Sequence, residues 1–168
     1  VFHRDIKPEN LIVVEDGPDL VLVDFGLAGG PESPIDGGTP AYRPIGVGGA
    51  AADPALDLFA LAVTLHEALT GIHPFGGGGA CNWPVMLEPG LPEPLLTLFS
   101  QALHEDANQR FSSAREFRDA LTGVRRKLGY VDPIEKPGSR PIPDDDSADG
   151  DDAPEWTDSV VYSFCLDG

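Results

Sequence analysis

The stretch ALDLFALAVTLHEALT (Ala55–Thr70) limits the possible folds more than any other part of this chain. It has helical length, an Asp-Pro start signal at Asp53–Pro54 and a stop at Gly71. Its apolar side chains run nearly all the way round instead of along one stripe. A helix of that kind needs neighbours on every side, so it belongs at the centre of a domain. A bilayer is not the expected neighbour, because no apolar run in the chain approaches the roughly 18 residues of a membrane span. The expectation is a buried central helix wrapped by other elements. With 41% apolar residues in a length of 168, the chain can build one such core.

The remaining elements are shorter. LIVV (Leu11–Val14) and LVLVDF (Leu20–Phe25) are β-rich runs joined by EDGPD, which predicts a hairpin. The following stretch to Pro54 is dense in Gly and Pro and predicts loop. LPEPLLTLFSQALHED (Leu91–Asp106) and SSAREFRDALTGVRRKLG (Ser112–Gly129) predict two amphipathic helices. The second has Ser112 or Ser113 as its cap, Glu116 early, and Arg125, Arg126 and Lys127 near its C-terminal dipole.

Composition divides the chain near Gly129. Residues 1–129 carry 17 acids and 9 bases, a net of −8, whereas residues 130–168 carry 11 acids and 2 bases, a net of −9. Residues 130–158, acidic and Pro-rich, read as a solvated linker. The final ten, SVVYSFCLDG (159–168), turn apolar again and read either as a disordered end or as the first strand of a further domain. The total charge of −17 argues against nucleic acid or an anionic membrane as partner. Cys81 and Cys165 lie far apart with no CxxC or His neighbour, so metal binding is not expected and two unpaired thiols in the cytoplasm are.

Chemistry concentrates in HRDIKPEN (His3–Asn10) and DFG (Asp24–Gly26). A hairpin brings its two ends together, so Asn10 before the first strand and Asp24 after the second can converge. One amide oxygen and one carboxylate suit Mg²⁺, which takes few protein ligands and leaves room for phosphates and water. Asp5 then lies beside the metal, able to accept a proton from a hydroxyl, and Lys7 supplies positive charge for a transferring phosphoryl group. Singly, each of these residues would read as an ordinary loop or turn residue.

Together and in order they resemble the eukaryotic-type protein kinases. HRDIKPEN is similar to that family's HRDxKxxN catalytic loop, and DFG follows at the expected distance. GTPAY (Gly38–Tyr42) resembles the start of the segment that receives the substrate peptide. ALDLFALAVTLHEALTGIHPF resembles the central helix, and DANQRFSSAREF the late signature whose arginine is Arg110. The resemblance implies a mainly α kinase C-lobe over residues 1–129, with a short β-hairpin carrying the catalytic loop and DFG, then a helical subdomain. It implies Asp5, Lys7 and Thr39 as the catalytic set, with Asp5 the base and Lys7 on the γ-phosphate. Asn10, Ile12 and Asp24 bind the nucleotide, Asn10 and Asp24 through Mg²⁺ and Ile12 as the floor under adenine. His3 and Phe25 resemble the apolar stack of the active state, with Asp57 anchoring the catalytic-loop backbone. Arg4 resembles the arginine that holds a phosphorylated activation loop, for which Ser33 is the candidate, though Arg4 can equally bond local carbonyls. The implied reaction transfers the γ-phosphoryl of ATP to Ser or Thr hydroxyls of a protein. Lys7 and Thr39 resemble the serine/threonine branch in its bacterial style.

Three features depart from that pattern. No Gly-rich strand pair, strand lysine or partnering helix glutamate occurs in these residues, so the chain by itself is expected to be inactive. The segment after Tyr42 reads RPI where the family has two residues and then Pro-Glu, so Ile45 stands in the glutamate's place and Arg110 is expected to lack its usual acidic partner. The activation loop is short and Gly-rich. A pseudokinase or scaffold that binds partners without catalysis is the second reading, supported by the first two departures. A small-molecule kinase of the aminoglycoside type is a third, opposed by Lys7, the GTP triplet and the long central-helix signature.

Overall fold

The computed structural model describes residues 1–13, 19–30, 37–46, 54–130 and 161–163. The loop between the first two strands, Ser33, Asp53, the acidic linker and Cys165 lie outside the described residues.

The central helix forms as expected, as α1 (Pro54–Thr70). Pro54 opens it with a fixed φ and no amide to satisfy, and Asp57 lies in the first turn against the helix dipole. Gly71, at φ +71, closes it by donating its amide to Glu67 O at 2.7 Å. Its buried face includes Phe59, Ala62, Val63, Thr64 and His66. Against it pack α2 (Glu93–Ala102) and α3 (Ala114–Lys127), which also pack on each other. Phe99 of α2, Leu103 just after it and Phe117 of α3 join Phe59 and Val63 in a single core. His66 is fully buried there. Its Nε2 accepts from Glu88 N at 3.2 Å, so its proton sits on Nδ1, which faces Ile72 O at 3.0 Å.

Both flanking helices are shorter than their amphipathic pattern. The helix expected over Leu91–Asp106 ends at Ala102, because Asp106 caps a separate short turn by accepting from Asn108 N at 2.9 Å. The helix expected over Ser112–Gly129 spans Ala114–Lys127. Ser113 is its cap through Oγ to Glu116 N, and Glu116 reaches back to Ser112 N at 2.8 Å.

The hairpin pairs β1 (Leu11–Val13) antiparallel with β2 (Asp19–Leu22), Leu11 opposite Leu22. The strand expected to reach Phe25 stops at Leu22. Asp24 adopts a left-handed φ of 64°, and Phe25 starts a short 3-10 turn. A third strand, β3 (Val161–Ser163), pairs antiparallel on the other edge of β2. No helix among the described residues is long and apolar enough to cross a membrane.

Candidate active site

The loop His3–Asn10 is hung from α1. Consecutive amides of His3 and Arg4 donate to the two carboxylate oxygens of Asp57, at 2.7 and 2.8 Å. Two adjacent amides can face one carboxylate because Arg4 takes a left-handed φ of 70°, a conformation that costs a non-glycine residue about 1–3 kcal/mol. The charged acceptor offsets that strain. At its outer end the loop is fixed by a two-bond bridge between Phe2 and Gly29. Gly29 lies against the Arg4 side chain: a Cβ there would stand 2.7 Å from the guanidinium, which would have to shift. Arg4 Nη2 donates to Gly30 O at 2.7 Å, so among its two expected roles the bond to a local carbonyl is present. His3 faces Val23 O through Nε2 at 3.0 Å and meets the Phe25 ring edge-on at 4.8 Å, so the two residues expected to be stack members touch.

From this frame Asp5 projects into a tight polar cluster. Its Oδ2 accepts from Lys7 Nζ at 2.7 Å, and its Oδ1 from Thr39 N and Thr39 Oγ at 2.8 Å each. Lys7 Nζ also donates to Thr39 Oγ at 2.9 Å. Thr39 comes within reach because Gly38, at φ +88, passes where a Cβ would lie 2.8 Å from Arg4 O. Asn10 is buried and donates through Nδ2 to Asp5 O at 2.8 Å and to Asp5 Oδ2 at 3.3 Å. Burial pushes the Asp5 carboxyl up, but the bonds from Lys7 and Thr39 and the Lys7 charge outweigh it and hold the group below the ordinary aspartate value. The bond to Asp5 holds the Lys7 ammonium above its ordinary value against slight desolvation, helped by the charges of Asp5, Glu9 and Asp24. Asp5 is therefore anionic and Lys7 cationic throughout the neutral range.

Asp24 arrives from the hairpin. Val23 N donates to Asn10 O at 2.9 Å, continuing the register by one pair, so Asp24 follows directly on the residue facing Asn10. One Asp24 oxygen accepts from Gly26 N at 3.3 Å. The amide nitrogen of Asn10 is spent on Asp5, which leaves its oxygen as the atom able to ligate a metal, at the same corner of the hairpin as the exposed Asp24. Two hard oxygens of this kind fit Mg²⁺. Among the described residues no group of three or more His, Cys, Asp or Glu side chains could hold a metal, so the donor set does not suit a cation that needs a full protein cage. Ile12 lies on β1 with about half its surface exposed, next to this corner.

The arginine expected to be orphaned is accommodated. Ile45 is exposed, and Arg110 has partners of its own. Its Nε donates to His104 O at 2.7 Å and its Nη2 to Glu105 O at 3.1 Å. The guanidinium lies over Phe59 at 4.8 Å and Trp83 at 5.5 Å from the ring centres. Such contacts contribute about 0.5–2 kcal/mol each, and two carbonyls accept from Nε and Nη2, so the guanidinium is held within its own surroundings. Another long-range bond, Tyr42 Oη to Glu67 Oε2 at 2.7 Å, ties the segment after Thr39 to α1. Burial, then the Glu67 bond and charge, keeps that phenol protonated. Glu67 carries no signal in the sequence, since its partner lies 25 residues away.

Comparison with known proteins agrees with this geometry. The family described as protein kinase domain matches residues 1–121. The probable kinase PglW of Streptomyces coelicolor is 34% identical over 154 residues, covering 74% of this chain and 9% of that protein. The serine/threonine-protein kinase PkaA of the same organism is 32% identical over 176 residues, covering 92% of this chain and 32% of the relative. The serine/threonine-protein kinase PknA of Mycobacterium tuberculosis is 33% identical over 140 residues, covering 74% and 32%. The chain thus spans about a third or less of the length of these relatives. In solved structures, the ROP18 kinase domain in complex with AMP-PNP and sucrose superposes with a TM-score of 0.54 at 25% identity, covering 76% of this chain and 38% of that one. The Cydia pomonella granulovirus kinase PK-1 gives 0.55 at 22% identity, covering 68% and 48%, a likeness of fold.

Proposed function

This chain belongs to the protein kinase domain family, and on that premise we propose that it supplies the acceptor-activating half of a serine/threonine phosphotransfer site. The observation that carries the reading is the bonded cluster of Asp5, Lys7 and Thr39, with Asn10 steadying the carboxylate. A scaffold has no need of an aspartate held ionised by a lysine and a threonine in this loop.

The acceptor hydroxyl of a protein Ser or Thr donates its hydrogen bond to Asp5. A carboxylate held below the ordinary aspartate value takes a proton only from a hydroxyl that is already losing it. Asp5 therefore orients the nucleophile first and accepts the proton late. The new bond joins the acceptor oxygen to the γ-phosphorus of ATP, and the bond from that phosphorus to the β–γ bridging oxygen breaks. Lys7, tethered between Asp5 and Thr39, places a full positive charge where the phosphoryl oxygens pass. Asn10 and Asp24 are the residues that would hold Mg²⁺, which when bound neutralises charge on the phosphates. Ile12 offers apolar surface to the adenine ring. Thr39 joins the base to the segment that receives the peptide, and with Lys7 it favours Ser or Thr over Tyr.

The test is transfer of radiolabel from γ-labelled ATP with Mg²⁺ to a mixed protein acceptor, using the protein expressed from its full reading frame. Phosphoserine or phosphothreonine in the hydrolysate is expected. Label confined to phosphotyrosine, or absent with the wild type, overturns the reading.

A further inference from the structure

The segment 71–83, between α1 and α2, closes on segment 41–45 through four hydrogen bonds. Cys81 N donates to Arg43 O at 2.8 Å and Ile45 N donates to Cys81 O at 3.0 Å, forming a parallel bridge around Pro44 and Cys81. Two side chains converge on one further acceptor. His73 Nε2 and Cys81 Sγ both donate to Ala41 O, each at 2.8 Å. The proton of His73 is fixed on Nε2, because Nδ1 accepts from Phe75 N at 3.1 Å and Gly77 N at 3.0 Å. Cys81 is fully buried, and its thiol, pushed up by burial to about 12, remains a donor.

The same segment is braced from behind. Trp83 donates through Nε1 to Leu103 O at 2.9 Å and packs on Phe75 at 5.5 Å. Arg110 lies over its ring. The guanidinium of Arg110 therefore braces Trp83, two residues beyond Cys81.

We infer that His73 and Cys81 are positioning residues for the acceptor-peptide segment, which they hold from segment 71–83. The inference rests on the proposed function in one respect, that residues 39–45 are where the peptide lies. Neither side chain reaches the reacting atoms. Both hold Ala41, two residues from the Thr39 that bonds Asp5 and Lys7. Loosening them frees the peptide platform while leaving the base and lysine in place.

Two measurements on the protein from its full reading frame separate this inference from the reading beneath it. By hydrogen exchange, His73→Ala and Cys81→Ala should each speed exchange in a peptide covering residues 41–46 by about tenfold or more, with α1 and α2 unchanged. His73→Gln and Cys81→Ser, which keep a donor at similar reach, should recover much of the protection. In peptide phosphorylation the alanine variants should raise KM for the peptide by about tenfold with KM for ATP and kcat nearly unchanged. Unchanged exchange at 41–46, equal acceleration across the helices, or a fall in kcat alone overturns the inference. If the wild type phosphorylates nothing, the proposed function fails while the exchange data still decide whether the latch exists.

Discussion

Removing the Asp57 carboxylate should release the catalytic loop, and the structure sets the size of the effect. Asp57→Ala deletes two amide-to-carboxylate bonds, at 2.7 and 2.8 Å, from His3 and Arg4. Bonds to charged groups contribute about 1.5–3 kcal/mol each, a gross loss of about 3–6 kcal/mol. Against this, the left-handed Arg4 relaxes once nothing holds it, returning about 1–3 kcal/mol. A net loss of about 3 kcal/mol follows for alanine. Asp57→Asn keeps one acceptor oxygen and turns an amide NH2 toward the other donor, for a loss of about 2 kcal/mol. The assay is urea unfolding followed by tryptophan fluorescence in a Trp156→Phe background, so that only Trp83, packed beside Phe59, reports. With a slope of about 2 kcal/mol per molar urea, the alanine midpoint should fall by about 1.5 M and the asparagine midpoint by about 1 M. An alanine midpoint within about 0.25 M of the wild type would refute the idea that Asp57 supports the loop.

His66 should make stability depend on pH in one direction. Burial lowers its folded-state pKa beneath the ordinary 6.5, so the neutral ring's contribution is complete above pH 6.5 and declines as pH falls below it. Between pH 7 and 5.5 the wild type should lose stability at up to about 1.4 kcal/mol per pH unit, with a flatter slope for His66→Gln; equal slopes in urea melts at each pH contradict this. Cys81, with its thiol raised to about 12 inside the core, should resist iodoacetamide at pH 8 in the native chain and react readily in urea. Comparable native and denatured rates by peptide mass spectrometry would show that the thiol is not held as described.

Legibility in the sequence followed the range of the interactions. HRDIKPEN and DFG could be read because their chemistry lies in a few adjacent residues and a hairpin that returns Asp24 beside Asn10. The central helix could be read because its all-round apolar character fits only a buried position. Element ends were less legible. The period of Leu91–Asp106 continues past Ala102, and nothing in it reveals that Asp106 will claim the next turn. Likewise LVLVDF looks like a strand to Phe25, yet Asp24 turns left-handed to present its carboxylate. The fate of Arg110 was illegible, because its two rings come from α1 and a distant loop, and a single sequence pairs none of them. Cys81 and His73 were unreadable as positioning residues for the same reason, their acceptor lying 40 and 32 residues away.

The most direct test of the phosphotransfer site is the single-turnover rate of Asp5→Asn against wild type, in the protein from its full reading frame with saturating ATP, Mg²⁺ and a Ser/Thr peptide. Asparagine preserves the shape and one acceptor toward Thr39 but removes the charge that orients the hydroxyl and takes its proton. The predicted result is a fall of about 10²–10⁴ in the chemical step, with ATP affinity within a few-fold of wild type. A rate within about threefold of wild type would contradict Asp5 as the base.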